Sequence, residues 1–436
     1  MVTAILGGGL TGITLAHLLA EKGEDVIILE KEKEYGGLCC SKTIDGFTFD
    51  IGGSHIIFSR DTEVLNFMNK MIDGNKQINI RNTEILHTDM KYIGYPFENF
   101  LYQLSDEDRF YCLNEFIKGI NNTRTPSNFL DWITHTFGKG IADLYLIPYN
   151  EKIWKYPLDQ MSSHWVDGRI PRPPVEDIIK SAIGIKTEGY THQSVFSYPL
   201  NGGIKALIDS IASPIKDKIV CNFNVSNITK LNGKFIIKND TGNVFITDKC
   251  ISTIPIQHLI RSLGNVPENI LNSSNKLKYN SLISVYIALN KKYENHATKS
   301  WLYVPDKKLG LFNRISFPSN YSFSSVQEGC SSILAEITHV DGDDVSKMSN
   351  TQITDHVIEK LSDIDLINKN DVLFVDVERQ KFAYVVYDID YNKNIKILKD
   401  FITERYGIDL LGRFSEFEYL NMDNCIRKVI DYNTKG

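Results

Sequence analysis

In the first thirty residues, two continuous apolar runs flank a segment whose apolar residues recur at helical spacing, and this pattern predicts a βαβ unit. Residues 2–6 form a short, mostly apolar run, as in a strand buried on both faces of a parallel sheet. Beyond a glycine-rich segment, apolar residues recur at helical spacing until Gly23, a residue type that commonly follows a helix end. Residues 25–30 form a second apolar run that ends in Glu30. The order of strand, turn, helix and strand is typical of nucleotide-binding α/β folds.

The apolar pattern changes twice over the rest of the chain. From residue 61 to about 180 it is mostly helical, with interruptions at Pro96 and Pro148. From residue 281 onward, runs with a period of two predict a larger antiparallel sheet. The other predicted elements are a helix at 204–211, hairpin turns at 232–233 and 240–243, a strand at 250–255 that rejoins the first sheet, and a last helix from near Asn421.

Composition and charge predict a folded protein of several structural units and argue against some partners. The 436 residues exceed what a single core usually supports, and 42% hydrophobic and 23% charged residues are ordinary for globular proteins. A net charge of -6 with dispersed basic residues predicts no nucleic-acid partner, and no run has the ~20 apolar residues of an integral membrane segment. The seven cysteines match no zinc spacing, so we predict no metal. Together with an N-terminus unlike a signal peptide, they favour a cytoplasmic location.

The glycine-rich segment after the first strand predicts a dinucleotide site. Residues 7–12 read G-x-G-x-x-G, with Thr11 inside the turn. Gly7 permits the tight turn, Gly9 lets backbone N–H groups approach a pyrophosphate, and Gly12 lets helix and strand pack closely. The helix N-terminus then faces the negative charge of the ligand.

A second glycine pair distinguishes between the dinucleotide cofactors. Glu30, followed by Lys31, is placed to accept hydrogen bonds from a ribose hydroxyl pair. Gly36 and Gly37, followed by Leu38, resemble the extended motif of FAD enzymes related to amine oxidases. Dehydrogenases that use only NAD normally lack this pair. We therefore predict that the chain binds FAD.

These patterns predict an α/β fold with an FAD-binding, Rossmann-like (GR2-type) domain, an inserted helical domain and an antiparallel-sheet substrate domain. The FAD-binding unit is predicted at residues 1–60, completed by 200–260 and 410–436. Residues 61–199 are predicted to form the mainly helical insertion, with a mobile substrate loop. Residues 261–409 are predicted to form the antiparallel-sheet domain.

Further segments resemble the UDP-galactopyranose mutases, in particular their eukaryotic-type branch, within the FAD-dependent amine oxidase and protoporphyrinogen oxidase superfamily. The stretch Gly52-Gly53-Ser54-His55-Ile56-Ile57-Phe58-Ser59 is similar to a family stretch beside the flavin. Ser54 is an insertion between the glycines and His55. The resemblance implies that Gly53 and Ser54 bind the cofactor and that His55 is a catalytic residue.

The segment Tyr95-Pro96-Phe97-Glu98-Asn99 looks like the family's Tyr-Pro-Phe-Gln-Asn, whose aromatic residues enclose the uracil ring. Stacking on an aromatic side chain stabilises a bound base by about 1–3 kcal/mol. Glu98 replaces an amide that could also donate a hydrogen bond. The resemblance assigns Tyr95, Phe97 and Glu98 to the substrate, whereas in isolation the two aromatic residues would be core residues beside a proline.

The segment Pro148-Tyr149-Asn150-Glu151-Lys152-Ile153-Trp154 reproduces the start of a family region that leads into the mobile substrate loop. The resemblance places Asn150 and Trp154 at the substrate. It also places Arg169 on the loop arginine that closes onto the nucleotide diphosphate, a role that suits a planar five-donor cation. Without the matched spacing, Arg169 would be read as a solvated surface charge.

The segment Phe312-Asn313-Arg314-Ile315-Ser316-Phe317 resembles the family's strand with the second diphosphate arginine. The resemblance makes Arg314 a catalytic residue and places Tyr321 near the substrate. An inward arginine on a strand needs an anionic partner. A buried ion pair between Arg314 and a carboxylate is therefore the alternative to a substrate role.

Two C-terminal segments complete the resemblance. The sequence Ala-Tyr-Val-Val-Tyr looks like a strand with a tyrosine that binds the phosphate next to the sugar. That role is assigned to Tyr384, and Tyr387 is the competing candidate at the substrate. The closing segment resembles an FAD motif in which Arg413 meets the pyrophosphate, and Asn421 and Met422 also contact the cofactor.

The resemblance implies an isomerase that converts UDP-galactopyranose to UDP-galactofuranose by covalent catalysis at N5 of reduced FAD. NAD(P)H is a candidate for the external reductant, a UDP-sugar is the expected partner, and a homo-oligomer is compatible with the sequence. The main alternative is an FAD-dependent oxidoreductase of the amine oxidase or protoporphyrinogen oxidase type, and a third is a flavoprotein without catalytic activity. The arginines and tyrosines named above favour the isomerase, because cations are costly beside an uncharged substrate.

Overall fold

The computed structural model describes residues 1–166, 169–170, 172–187 and 194–435. In these residues the strands, numbered in chain order, are β1 Val2–Leu6, β2 Asp25–Leu29, β3 Ser41–Ile44, β4 Phe47–Asp50, β5 Lys76–Ile80, β6 Thr83–Leu86, β7 Tyr92–Gly94, β8 Val195–Pro199, β9 Ile219–Val220, β10 Val225–Leu231, β11 Lys234–Asn239, β12 Val244–Thr247, β13 Lys249–Ser252, β14 Lys278–Leu289, β15 Trp301–Tyr303, β16 Arg314–Ser316, β17 Ser331–His339, β18 Val372–Val386 and β19 Asp409–Leu410. The α-helices are α1 Leu10–Glu21, α2 Thr62–Met71, α3 Asp106–Gly119, α4 Phe129–Ile141, α5 Ile147–Trp154, α6 Val175–Ala182, α7 Lys205–Ala212, α8 Ile256–Ser262, α9 Glu268–Lys276, α10 Asp344–Lys347, α11 Asn350–Asp363, α12 Tyr391–Tyr406 and α13 Met422–Lys435.

A parallel sheet in the order β19-β13-β1-β2-β9 carries the N-terminal βαβ unit. β1 is central and almost completely buried, as its continuous apolar run predicts. α1 packs against α7 and α13, so the helix layer is assembled from distant parts of the chain. The predicted α/β fold of the FAD-binding type is confirmed.

The second large layer is a seven-stranded sheet in the order β18-β14-β17-β16-β15-β6-β7. Its pairs are antiparallel except for the parallel pair of β15 and β6. β6 and β7 come from residues 61–199, so that region is not purely helical and contributes an edge to the sheet formed mainly by residues 261–409. The domain boundaries themselves stay a prediction.

The two sheets face a common cavity of about 1350 Å³. Its floor lies at the carboxyl ends of β1 and β2, where parallel α/β sheets usually bind ligands. Side chains of β16 and β18 form part of the opposite wall. The cavity therefore lies where both layers can contribute to one site.

Candidate functional site

The glycine turn after β1 leaves room for an anion at the N-terminus of α1. Gly9 is the N-cap of α1, and a Cβ atom placed on it would meet no atom within 4 Å. A Cβ on Gly12, in contrast, would lie 2.1 Å from the carbonyl oxygen of Gly7. Gly12 is therefore required for packing, whereas Gly9 keeps backbone N–H groups open to a ligand.

The second glycine pair packs directly on this turn. The Gly36 N–H donates to the Gly8 carbonyl at 2.7 Å, and Gly9 and Gly36 form an isolated parallel bridge. Gly37 and Leu38 line the same end of the cavity as Gly9. The two glycine segments, separated in sequence by the helix and second strand, thus form one continuous backbone surface.

Glu30 is buried at the end of β2, where it lines the cavity. Its Oε2 accepts a hydrogen bond from the Gly8 N–H at 2.6 Å, and its Oε1 accepts one from the Glu32 N–H at 2.9 Å. Burial raises the pKa of Glu30 although both N–H contacts act in the opposite direction. Each oxygen has a second lone pair, so the carboxylate can still accept hydrogen bonds from a ribose. Lys31 lines the cavity beside it.

Arg413 presents an unsatisfied donor beside the cavity. Its Nη1 donates to the Leu420 carbonyl at 2.7 Å, and its Nη2 donates to the Ala383 carbonyl. Its Nε is buried and has no hydrogen-bond partner in the described part of the chain. The guanidinium carbon lies 4.8 Å from the centre of the Tyr419 ring. A buried donor without a partner fits an anionic ligand such as a pyrophosphate.

Arg314 is held by a carboxylate that the sequence analysis did not identify. In the sheet, Arg314 on β16 is directly opposite Glu336 on β17. Its Nε and Nη2 donate to the two oxygens of Glu336, and the Nη2–Oε1 distance is 2.7 Å. Although burial acts against the charge, the Glu336 carboxylate holds the pKa of Arg314 above its ordinary value. The alternative of a buried ion pair is therefore realised, while Arg314 still lines the cavity and its Nη1 has no hydrogen-bond partner among the described residues.

Two tyrosines of the β18 region have different surroundings. Tyr384 lines the cavity, and its hydroxyl forms no hydrogen bond with a described residue. Burial raises its pKa, so it is a neutral donor at ordinary pH. Tyr387 is buried outside the lining, and its hydroxyl accepts a hydrogen bond from the Tyr419 N–H at 2.6 Å. The geometry favours Tyr384 for contact with a ligand and gives Tyr387 a supporting position.

His55 lines the cavity as a neutral imidazole. Burial, followed by the positive charge of Arg314, lowers its pKa to about 4. Its Nδ1 is buried without a hydrogen-bond partner in the described ranges. Neighbouring Gly53 packs against the ion pair, because a Cβ at this position would be 2.3 Å from Oε1 of Glu336. The catalytic role of His55 therefore stays a prediction.

Tyr321 lies outside the cavity lining in this structure, and its predicted place near the substrate stays a prediction. Its hydroxyl donates to the Ser300 carbonyl at 2.9 Å and accepts a hydrogen bond from the Ser54 hydroxyl at 2.9 Å. The ring is fully buried among other aromatic residues. Tyr321 instead fixes the position of Ser54, which does line the cavity.

The predicted uracil pair is split between the cavity and the core. Tyr95 lines the cavity, and the Arg81 guanidinium carbon lies 4.8 Å from its ring centre. Phe97 is fully buried and stacks on Tyr145 with 5.2 Å between ring centres. Glu98 is also buried outside the lining. In this structure Tyr95 and Phe97 therefore do not face each other across open space.

Asn150 and Trp154 also lie behind the cavity wall. The Trp154 indole N–H donates to the Asn150 side-chain oxygen at 2.9 Å, and the Asn150 amide donates to the Leu146 carbonyl. Trp154 packs edge-on against Tyr384 with 6.2 Å between centres. Both residues support the wall and do not line it.

Arg169 lies outside the cavity lining, and its guanidinium carbon is 4.3 Å from the centre of the Tyr419 ring. Tyr419 itself lines the cavity and also contacts Arg413. Arg169 is thus one side chain away from the site. Residues 167–168 and 171 of the predicted mobile loop lie outside the described residues.

The predicted site residues therefore form two groups. Those that line the cavity are Gly7, Gly9, Thr11, Glu30, Lys31, Gly36, Gly37, Leu38, Ser54, His55, Tyr95, Arg314, Tyr384, Arg413, Asn421 and Met422. Those outside the lining are Gly12, Gly53, Phe97, Glu98, Asn150, Trp154, Arg169, Tyr321 and Tyr387.

Arg81 and Tyr303 are among the lining residues that the sequence motifs did not identify. Tyr303 packs against Tyr95 with 5.3 Å between ring centres, on the strand next to Arg314. The sequence around a single residue in a short strand does not show that the residue faces a cavity, because strand pairing decides which side chains come together. Within the described ranges, no cluster of three or more potential metal ligands occurs, and no helix is long and apolar enough to cross a membrane.

Comparisons with known proteins agree with this geometry. The family model described as flavin containing amine oxidoreductase matches residues 10–390. The UDP-galactopyranose mutase of Mycoplasma pneumoniae is 24% identical over 236 residues, which are 51% of this chain and 56% of that protein. The corresponding enzyme of Mycoplasma genitalium is 22% identical over 231 residues, or 51% and 54% of the two chains. The match thus spans about half the length of these relatives.

Solved structures extend the likeness to the whole chain. A crystal structure of reduced UDP-galactopyranose mutase has a TM-score of 0.90 and 26% identity, and the match covers 99% of this chain and 94% of that chain. Putrescine oxidase bound to putrescine has a TM-score of 0.67 and 13% identity, with 100% and 99% covered. The latter likeness concerns the fold alone.

Proposed function

Because this chain belongs to the family of flavin-containing amine oxidoreductases, we propose that it binds FAD and isomerises a UDP-sugar, with UDP-galactopyranose to UDP-galactofuranose as its reaction. One observation carries the proposal. A single cavity joins the two glycine segments to a wall with Arg314, Tyr384 and Arg413. The 26% identity and whole-chain likeness to a reduced UDP-galactopyranose mutase support the same activity.

FAD fits the floor of the cavity. Backbone N–H groups around Gly9 and the unpaired Nε of Arg413 would hold the pyrophosphate, and Glu30 would accept hydrogen bonds from the ribose. When bound and reduced, the flavin would supply the nucleophile for the anomeric carbon. A source of electrons is needed to reduce it, and NAD(P)H stays the predicted candidate.

The protein's own task is to bind and orient the nucleotide sugar. The free Nη1 of Arg314 and the unpaired hydroxyl of Tyr384 point to binding of phosphate oxygens, and neutral His55 adds no positive charge at ordinary pH. Arg169, whose guanidinium contacts the ring of the lining residue Tyr419, is the predicted third cation for the diphosphate. An apolar or amine substrate would leave these donors without partners, which is costly in a buried site.

The test begins with the purified, FAD-loaded chain. UDP binding is measured by calorimetry with oxidised and with dithionite-reduced protein, and the reduced protein is then incubated with UDP-galactose and analysed by chromatography. We expect UDP binding and a new isomer formed only on reduced flavin. If UDP does not bind in either state, and an amine or porphyrinogen reduces the flavin instead, the isomerase proposal fails.

Two tyrosine variants provide a matched pair for the substrate site. Tyr384→Phe removes a hydroxyl that lines the cavity, whereas Tyr387→Phe removes one that only accepts the Tyr419 N–H. We expect Tyr384→Phe to weaken UDP-sugar turnover at least about tenfold, the effect of about 1.4 kcal/mol, and Tyr387→Phe to leave it largely intact. Equal losses of turnover in both variants would mean that the Tyr384 hydroxyl has no particular role in binding the substrate.

Arg314→Ala tests the diphosphate contact. We expect UDP affinity to fall by at least ~2 kcal/mol while FAD remains bound, because a charge-assisted contact is lost. Absorbance of the bound flavin checks that the variant is folded. Unchanged UDP affinity in folded protein would contradict the role of Arg314.

A further inference from the structure

Strand β18 contains a β-bulge beside the cavity wall. Leu282 of β14 pairs with Gln380 of β18. The next ladder pair is Asn280 with Tyr384, so three residues of β18, 381–383, face one residue of β14. Bulges are common next to active sites, where they change the direction in which a side chain points. This bulge ends at Tyr384, the tyrosine that lines the cavity.

Two side chains of β14 form hydrogen bonds with the backbone at the two ends of the bulge. At one end, the Ser281 hydroxyl donates to the Lys381 carbonyl at 2.8 Å. At the other end, the Tyr384 N–H donates to the side-chain oxygen of Asn280 at 3.1 Å. Because backbone groups inside a protein need hydrogen-bond partners, these contacts replace ladder bonds that the bulge interrupts.

Asn280 also connects the bulge to helix α5. Its side-chain nitrogen donates to the Ile153 carbonyl at 2.6 Å. This carbonyl belongs to the last turn of α5, where carbonyl groups have no partner within the helix. The same turn carries Trp154, whose ring packs edge-on against Tyr384. Asn280 is fully buried, so the helix end, the amide and the Tyr384 backbone form one connected unit.

The two contacts of Asn280 require a donor and an acceptor on one short side chain. A neutral amide supplies both, whereas a carboxylate only accepts and an apolar side chain does neither. The partners also fix the orientation of the amide, because its oxygen faces an N–H group and its nitrogen faces a carbonyl. The hydrogen-bonding pattern, and not only the volume of the side chain, therefore matches this position.

We infer that Asn280 is a positioning residue, which sets the place of the Tyr384 hydroxyl in the cavity by joining the Tyr384 backbone to the end of α5. For turnover, this inference rests on the proposed function, in which that hydroxyl contacts the substrate. The place of Tyr384 can be measured without a substrate, so the two can be tested separately.

The first measurement is fluorine NMR of the FAD-loaded chain labelled with 3-fluorotyrosine. The resonance that disappears in Tyr384→Phe belongs to Tyr384, and we expect Asn280→Ala to shift it. Ser281→Ala is the matched control, because it removes a buried hydrogen bond at the far end of the same bulge and should shift the resonance much less. An unmoved Tyr384 resonance in folded Asn280→Ala, or an equal shift in Ser281→Ala, would overturn the inference.

A second variant separates the hydrogen bonds of Asn280 from its packing, and serves if Asn280→Ala does not fold. Leucine has the same branched shape as asparagine but makes neither contact. Asn280→Leu should therefore also shift the Tyr384 resonance, while the absorbance of bound FAD verifies that the variant is folded. A wild-type resonance in Asn280→Leu would mean that Asn280 only fills space, and the inference would fail.

A double-mutant cycle with Tyr384→Phe tests the consequence for turnover. Asn280→Ala alone should lower kcat/KM for UDP-galactose on reduced FAD about tenfold. In the Tyr384→Phe background its further effect should be less than about twofold, because the hydroxyl that Asn280 positions is already absent. Equal losses in both backgrounds would contradict the inference. If the wild type does not convert UDP-galactose but the Tyr384 resonance shifts as expected, the proposed reaction fails and the positioning by Asn280 stands.

Discussion

Breaking the Arg314–Glu336 pair should destabilise the protein asymmetrically. Glu336 is only 1% exposed, whereas the Arg314 side chain is 22% exposed. Arg314→Met leaves the carboxylate buried without its partner, and such losses cost about 3–5 kcal/mol. Glu336→Gln leaves a cation that can reach the cavity and its water, so its cost should be smaller. The double variant leaves no unpaired charge and should recover much of the loss.

The expected loss of unfolding free energy can be converted to a change in melting temperature. For 436 residues, an unfolding entropy of about 2.1 cal/mol/K per residue gives about 0.9 kcal/mol/K. A loss of 3–5 kcal/mol then lowers the melting temperature by about 3–5 °C if the chain unfolds in one transition. Calorimetry of the FAD-loaded wild type, both single variants and the double variant gives the four melting temperatures of this double-mutant cycle. Additive losses in the double variant, or a larger loss for Glu336→Gln than for Arg314→Met, would refute this reasoning.

Three further predictions concern the FAD site and its support. Gly12→Ala places a methyl group 2.1 Å from the Gly7 carbonyl oxygen and should abolish FAD retention, which is measured by absorbance after gel filtration. In the control variant Gly264→Ala the new methyl group meets no atom within 4 Å, so this variant should retain FAD. Arg413→Gln should raise the FAD dissociation constant about 10–100-fold, and unchanged affinity would exclude a pyrophosphate contact. Burial raises the pKa of Asp50 from 3.8 to about 6, so its stabilising contribution is present below pH ~4 and is lost as the pH rises to about 6. Without Asp50, this difference of about 3 kcal/mol between the unfolding free energies at low and high pH should disappear, so Asp50→Asn should unfold with a weaker pH dependence. The same pH dependence in wild type and Asp50→Asn would contradict the raised pKa of Asp50.

The sequence pattern predicts the nucleotide-binding layer well because its determinants are local. The strand predicted at residues 2–6 is β1, and the period-two runs predicted beyond residue 281 include the long strand β18. The helix predicted at 204–211 is shifted by one residue in α7. Continuous apolar runs and positioned glycines specify these elements without reference to the rest of the chain.

The cavity wall is less predictable because strand pairing creates it. Arg314 and Glu336 are each the one acidic or strongly basic residue of a buried strand, and that shared feature could have indicated a buried pair. The side chains of Phe97 and Tyr321 were assigned to the substrate by their motifs, yet their rings are buried. A motif locates a segment at a site, but the burial of each side chain depends on what packs against it from distant parts of the chain.

Arg314 and Arg413 are therefore not equivalent, although the sequence analysis assigns each of them to a diphosphate, Arg314 to that of the substrate and Arg413 to that of FAD. Glu336 compensates the charge of Arg314 and engages two of its donor nitrogens, so Arg314 can direct a hydrogen bond but adds little net positive potential. Arg413 forms no ion pair with a described carboxylate and keeps an unsatisfied Nε, so it is the stronger attractor for an anion. If FAD takes up that charge through its pyrophosphate, a second diphosphate must find its compensation elsewhere. Arg169, whose guanidinium carbon lies 4.3 Å from the centre of the Tyr419 ring, is the cation that we propose for it.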